Sequence, residues 1–115
     1  MKKPLLACLL LAMYAPLAQA QFTGPTARGA EMRVADAAVA RVDTYVTLVG
    51  TIRSHLRGDY YVFGDASGEI RVEIESEVWN GRQIGPAQTV RLLGEVDRNA
   101  AGTPYVWVKS LTVVP

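Results

Sequence analysis

With 115 residues, half of them hydrophobic, 12 Lys and Arg against 11 Asp and Glu, and one Cys, the chain has the size of one modest domain, which excludes a multidomain machine. The near-balanced charge lacks the basic surplus of a domain that tracks a phosphate backbone. A single Cys excludes an internal disulfide, so an apolar core has to hold the fold.

Residues 1–20 place Lys2 and Lys3 before the apolar run Leu5 to Leu11 and close on Ala18-Gln19-Ala20, the pattern of a cleaved secretory signal. The run is shorter than a bilayer span and is broken by Pro16, which argues against a membrane anchor. Cleavage removes Lys2, Lys3 and Cys8; ten basic side chains then face 11 acidic ones, a net charge of −1. Residues 21–33 carry Gly, Pro and Thr with no apolar period and read as a flexible or loosely docked arm, so the folded domain is expected over residues 34–115. From Val34 to Val42 the spacing of Val34, Ala38 and Val42 predicts a short helix.

Beyond Thr44 the period becomes two, and five β-runs follow. The first, Tyr45 to Arg53, turns Val46, Leu48, Gly50 and Ile52 inward. Tyr60 to Gly64 and Glu69 to Glu75 form a hairpin around Asp65-Ala66-Ser67-Gly68, with Ile70, Val72 and Ile74 inward. A helical turn capped by Ser76 and stopped at Gly81 interrupts the strands. The fourth run, Thr89 to Asp97, faces Val90, Leu92, Gly94 and Val96 inward; the fifth, Pro104 to Val114, does so with Val106, Val108, Leu111 and Val113. The two runs VTLVGTI and VRLLGEV share an inward Gly, at Gly50 and Gly94, which marks a bend or a close backbone approach. Two bent strands among five predict a small closed barrel. Five strands interrupted after the third is the order of an OB-fold, a mainly β barrel with a short N-terminal helix; an SH3-like barrel is the alternative.

Phe22 to Pro25, Val34 to Ala37, Val46 to Ile52, Tyr61 to Ile74 and Trp79-Asn80-Gly81, in this order over nearly the whole mature chain, resemble the bacterial OB-fold (BOF) family of small secreted proteins. The resemblance implies a periplasmic OB barrel linked to envelope or general stress tolerance, without catalytic residues to carry over. One departure is Gly64, where the family often places a charged residue between the Phe and Asp of the second strand.

His55 is the only His and is expected in an exposed loop, and no nucleophile elbow is present, so no enzyme and no cofactor are expected. Glu73, Glu75 and Glu77 would share a face if their strand continued, but such a stripe is the ordinary solvated side of a strand, and no metal site is assigned. Tyr61 and Phe63 have core parity, and Trp79 is expected to plug the open end of the barrel. An OB-fold binds over strands two and three. The floor is therefore expected from Tyr60, Val62, Arg71 and Glu73, with Arg53, His55 and Arg57 on one rim and Arg98 and Asn99 on the other. Trp107 is expected outside this patch, packing on the N-terminal helix. The reading is a binding module for a small envelope ligand, a glycan or peptide fragment, or for a periplasmic or outer-membrane protein. Two alternatives are an oligonucleotide-binding domain, disfavoured by charge and export, and an adaptor docking through Tyr105, Trp107 and the arm.

Overall fold

The computed structural model describes residues 30–115. The expected signal at 1–20, most of the expected arm and the stretch Phe22 to Pro25 lie outside the described residues. The elements in chain order are helix α1 (Val34–Ala37), strands β1 (Tyr45–Arg57), β2 (Tyr60–Asp65) and β3 (Gly68–Glu73), helix α2 (Ser76–Trp79), and strands β4 (Val90–Arg98) and β5 (Pro104–Val113). The strands close into a barrel in the order β1-β2-β3-β5-β4. Of the five seams between these strands β3–β5 is parallel and the other four are antiparallel. This is the five-stranded OB barrel expected from the alternation and the interruption.

Closure depends on β1 serving two neighbours. Tyr45 to Gly50 pair with β4, and from Thr51 onward the strand pairs with β2. Gly50 sits at the handover, where a Cβ would run into the Gly64 carbonyl and the Phe63 ring. Gly94, its counterpart in β4, leaves room in the same way for the Trp107 carbonyl and the Val106 side chain. Both inward glycines thus mark close backbone approach, as their positions predict. The barrel interior is apolar: Val46, Leu48, Phe63, Val72, Ile74, Leu92, Val96 and Val106 are fully buried, and no buried side chain among the described residues is polar or charged. In β5 the inward parity changes from Val106 and Val108 to Leu111 because a bulge opposite Leu93 and Gly94 inserts one residue.

Helix α1 is shorter than predicted. Val34 and Ala37 are buried, but Val39 and Val42 remain 78% and 46% exposed, so the stripe Val34, Ala38, Val42 does not form. An isolated helix of this length is marginal, and sheet pairing takes the backbone first. Asp43 adopts φ 74, its N–H donates to the Val96 carbonyl (2.8 Å), and the Val96 N–H donates to Thr44 (2.9 Å). The one turn that survives is capped from far along the chain: the Val34 N–H donates to the Asp65 carboxylate (3.0 Å) and the Ala35 N–H to the Ser67 hydroxyl (2.9 Å). Just before it, the Met32 N–H donates to the Thr47 carbonyl and the Thr47 N–H to Ala30, both at 3.1 Å, which docks the end of the expected arm along β1.

Strand β1 is longer than predicted, running to Arg57, so His55 and Arg57 are strand residues rather than loop residues. Gly58 and Asp59 alone connect it to β2. Gly58 has φ +55, the positive value a two-residue hairpin turn needs at its first central position. The pairing tolerates two register shifts, between Ile52 and Ser54 and between His55 and Arg57. Helix α2 lacks the predicted Ser76 side-chain cap; Glu75 stands at the N-cap without such a bond. Asn80 and Gly81 end it in left-handed conformations. The Arg82 guanidinium then takes its free carbonyls, Nε to Trp79 (2.9 Å) and Nη2 to Val78 (2.8 Å), while Nη1 reaches Leu111 in β5 (2.8 Å).

Candidate functional site

Directly paired residues point to the same side of a sheet, so the register specifies what the outer wall presents. One row runs Tyr60, Glu73, Trp107 across β2, β3 and β5, and the next runs Val62, Arg71, Tyr105. The four residues predicted to floor the groove therefore do come together. The Tyr60 and Tyr105 rings meet edge to face, 5.9 Å between centroids at 82°, and the Arg71 guanidinium carbon lies 5.9 Å from the Tyr60 centroid. Beside them a shallow depression of about 280 Å³ is lined by Leu56, Val62, Arg71, Glu69 and Thr103. Leu56 and Thr103 were not anticipated as lining; Leu56 is 45% exposed, and an apolar residue two positions before a Gly-Asp turn is the signal that pointed to it.

The predicted rims separate. The register shift at Arg53 is decisive, because one inserted residue moves the side chains after it to the opposite face until the second shift, between His55 and Arg57, restores the first parity. Ser54 comes to lie opposite Val62, and His55 opposite Tyr61. His55 stacks on the Tyr61 ring at 4.6 Å and 26° and leaves the groove. Arg53 stays outside, spread over Gly64: its Nη1 is 3.2 Å from Glu69 Oε2, its Nη2 donates to the Asp65 carbonyl (3.2 Å) and its Nε to Thr51 Oγ1 (3.3 Å). A Cβ at Gly64 would meet that guanidinium, so the missing side chain is replaced by Arg53. Arg57 lies opposite Tyr60 at the end of β1. On the far rim Arg98 turns away, donating to the Gly102 carbonyl (3.2 Å) and to Ala38 beyond α1 (3.5 Å). Asn99 is occupied within its loop, where Oδ1 accepts from the N–H groups of Ala101 and Thr103, both 2.9 Å. Thr103, not Asn99, borders the depression.

Two further expectations change. Tyr61 does not fill the barrel but is half-buried at its end, edge-on to Trp79 at 5.3 Å and 65°; Phe63 alone of the pair is fully buried. Trp107 lies not outside the patch but in its row, directly beside Glu73, while α1 rests on β3; the Lys109 ammonium covers the indole, 3.3 Å from the ring centroid.

Electrostatically the wall is acidic around Arg71. Partial burial, reinforced by Glu75, Asp59 and Asp97, pushes the Glu73 carboxyl above its ordinary pKa. Burial and then Asp97, whose Oδ2 accepts from the Tyr105 hydroxyl (3.3 Å), push that phenol up to about 12. Because β3 ends at Glu73 and Glu77 is already in α2, Glu73, Glu75 and Glu77 do not form one strand face. Among the described residues no three His, Cys, Asp or Glu side chains gather as metal ligands. The wall offers an apolar patch, two tyrosine edges and one guanidinium among carboxylates, a set suited to holding a small ligand with apolar and polar faces.

A family model described as bacterial OB fold (BOF) protein matches residues 13–113. The chain is similar to the calcium-regulated OB-fold protein CarO of Pseudomonas aeruginosa, 41% identical over 99 residues that cover 86% of this chain and 84% of CarO. It is similar to protein YgiW of Escherichia coli (strain K12), 40% identical over 92 residues, 70% of this chain and 71% of YgiW. The solved structure of E. coli YgiW superposes with a TM-score of 0.71 at 38% identity, covering 80% of this chain and 100% of that one. The p204 HINb domain, at 20% identity and a TM-score of 0.60 over 74% of this chain and 47% of its own, shares the fold alone.

Proposed function

The chain belongs to the bacterial OB-fold (BOF) family, and from that premise we propose that it is a non-enzymatic binding module of the periplasm, exported on its first 20 residues and acting in envelope stress tolerance. Its ligand is a small envelope molecule, a glycan or peptide fragment, held on the outer wall over β2 and β3. The observation that carries this reading is the depression lined by Leu56, Val62, Arg71 and Thr103 beside the paired rings of Tyr60 and Tyr105. A ring edge and an aliphatic floor suit the apolar face of a sugar or side chain, and Arg71 suits a carboxylate or carbonyl. The names of the relatives describe OB-fold proteins rather than enzymes, in keeping with a role in binding.

Titrating the secreted chain with soluble peptidoglycan fragments, followed by amide NMR, tests this. Saturable shifts are expected at Leu56, Val62, Arg71 and Thr103, and Arg71→Ala is expected to weaken binding about tenfold, the loss of one charge-assisted hydrogen bond. Shifts confined to other surfaces, or tight salt-sensitive binding of single-stranded DNA in place of the fragments, would overturn it.

A further inference from the structure

The same register shift that takes His55 out of the groove builds a second concavity, and we propose that it is a separate binding site for one flat aromatic ring system carrying an N–H or O–H donor, of the indole or phenol class. The hollow, about 190 Å³, lies between the second half of β1 and the segment following α2, lined by Ile52 to His55 of β1, Arg53 included, and by Tyr61, Trp79, Ile84 and Pro86. None of these residues lines the depression over β2 and β3.

Three features give the ligand class. The first is size: a dry cavity of roughly 150 Å³ holds benzene, so this volume takes one ring or two fused rings and not an extended chain. The second is the wall. The Tyr61 ring stands between the His55 imidazole, stacked at 4.6 Å, and the Trp79 indole, edge-on at 5.3 Å, while Ile84 supplies an apolar side. Tyr61, Trp79 and Ile84 are only half-buried and Pro86 is exposed, so each keeps surface open to the hollow beyond the contacts the rings make with one another. Stacked and edge-on ring contacts favour a planar π-system over a saturated ring of equal volume. The third is hydrogen bonding. His55 Nε2 lies 2.8 Å from the Gly58 carbonyl oxygen, which only accepts, so Nε2 carries the proton. In the neutral ring Nδ1 is then an acceptor, and a ligand N–H or O–H is the group that matches it.

The site does not depend on the reading of the groove, and its test is separate. Indole is titrated into the secreted chain with amide and tryptophan side-chain NMR as the readout. Saturable shifts are expected at Ser54, His55, Tyr61, Trp79 and Ile84, with a dissociation constant on the order of 1 mM or below for so small a ligand. His55→Ala, an exposed position whose loss leaves the core intact, is expected to weaken indole about tenfold, and Arg71→Ala in the groove to leave it unchanged. 1-Methylindole, which lacks the donor, and cyclohexanol, which lacks the π-face, are each expected to bind about tenfold more weakly than indole. Non-saturating shifts, shifts centred on Val62 and Arg71, or equal binding of cyclohexanol would overturn the proposal.

Discussion

The two halves of β1 obey different rules. From Tyr45 to Gly50 the strand keeps strict register with β4, and Val46 and Leu48 are fully buried. From Thr51 to Arg57 it slips twice against β2, and every residue from Arg53 onward is exposed. The regular half builds the barrel. The slipped half distributes its side chains over two faces, Leu56 to the groove and His55 to the aromatic hollow, so irregular pairing turns one strand into the border of two concavities.

The sharpest way to break this comparison is to add one methyl group at the end of the regular half and one in the turn that closes the slipped half. Gly50→Ala forces a Cβ into the Gly64 backbone and is expected to cost about 3 kcal/mol, at the upper end of overpacking. Gly58→Ala meets nothing within 4 Å and is expected to cost only the roughly 1 kcal/mol of a positive φ. Urea midpoints of the two variants compare them directly; similar losses would mean that the handover at Gly50 is not a constraint. Leucines make the same contrast. Leu48→Ala empties fully buried volume and is expected to lose about 3 kcal/mol, whereas Leu56→Ala is expected to stay within about 0.5 kcal/mol, a difference that thermal melts resolve.

The next effect lies at the contact that holds α1. Burial by itself would raise the Asp65 carboxyl, but hydrogen bonds from Ser67, Val34 and Gly68 outweigh it and hold the group below its ordinary pKa. A depressed folded value adds stability above about pH 4, where the unfolded carboxyl is ionised, and that stability disappears as pH falls through the folded value. Asp65→Ala is expected to cost about 1 kcal/mol at pH 7 and to flatten this acid limb of a pH–stability curve. Glu73 has the opposite sign. Its raised pKa means that the ionised group opposes folding, and the opposition is relieved as pH falls through the folded value. Glu73→Gln is the smallest expected change, a gain of at most about 0.5 kcal/mol at pH 7, measurable as a shift in urea midpoint. A clear loss there would show that the carboxylate has a favourable partner on the wall.

Much of the fold was legible. The alternation of Ile70, Val72 and Ile74, the turn at Asp65 and Gly68, and the paired glycines at positions 50 and 94 each carried the right structural message, and the floor residues Tyr60, Val62, Arg71 and Glu73 follow from parity in β2 and β3, where the register is unbroken. The rims were not legible. His55 was placed by fold analogy in a loop after the first strand, whereas that strand continues to Arg57 and slips at Arg53, and Arg98 and Asn99 were placed by the same analogy in a loop whose own hydrogen bonds occupy them. The short helix failed for a related reason, since its spacing was right for a helix and silent about the sheet that takes up Asp43 and Thr44.

What the amino-acid order determined by itself is whatever depends on neighbours along the chain: the period of two, the turn residues, and glycines wherever an inward side chain has no room. What only the tertiary structure decided is which residue a strand skips when it passes from one partner to another. A bulge is chosen by the whole closed set of pairings, not by the residue that bulges, and a single such choice at Arg53 placed His55 not on the wall over β2 and β3 but at a hollow on the other side.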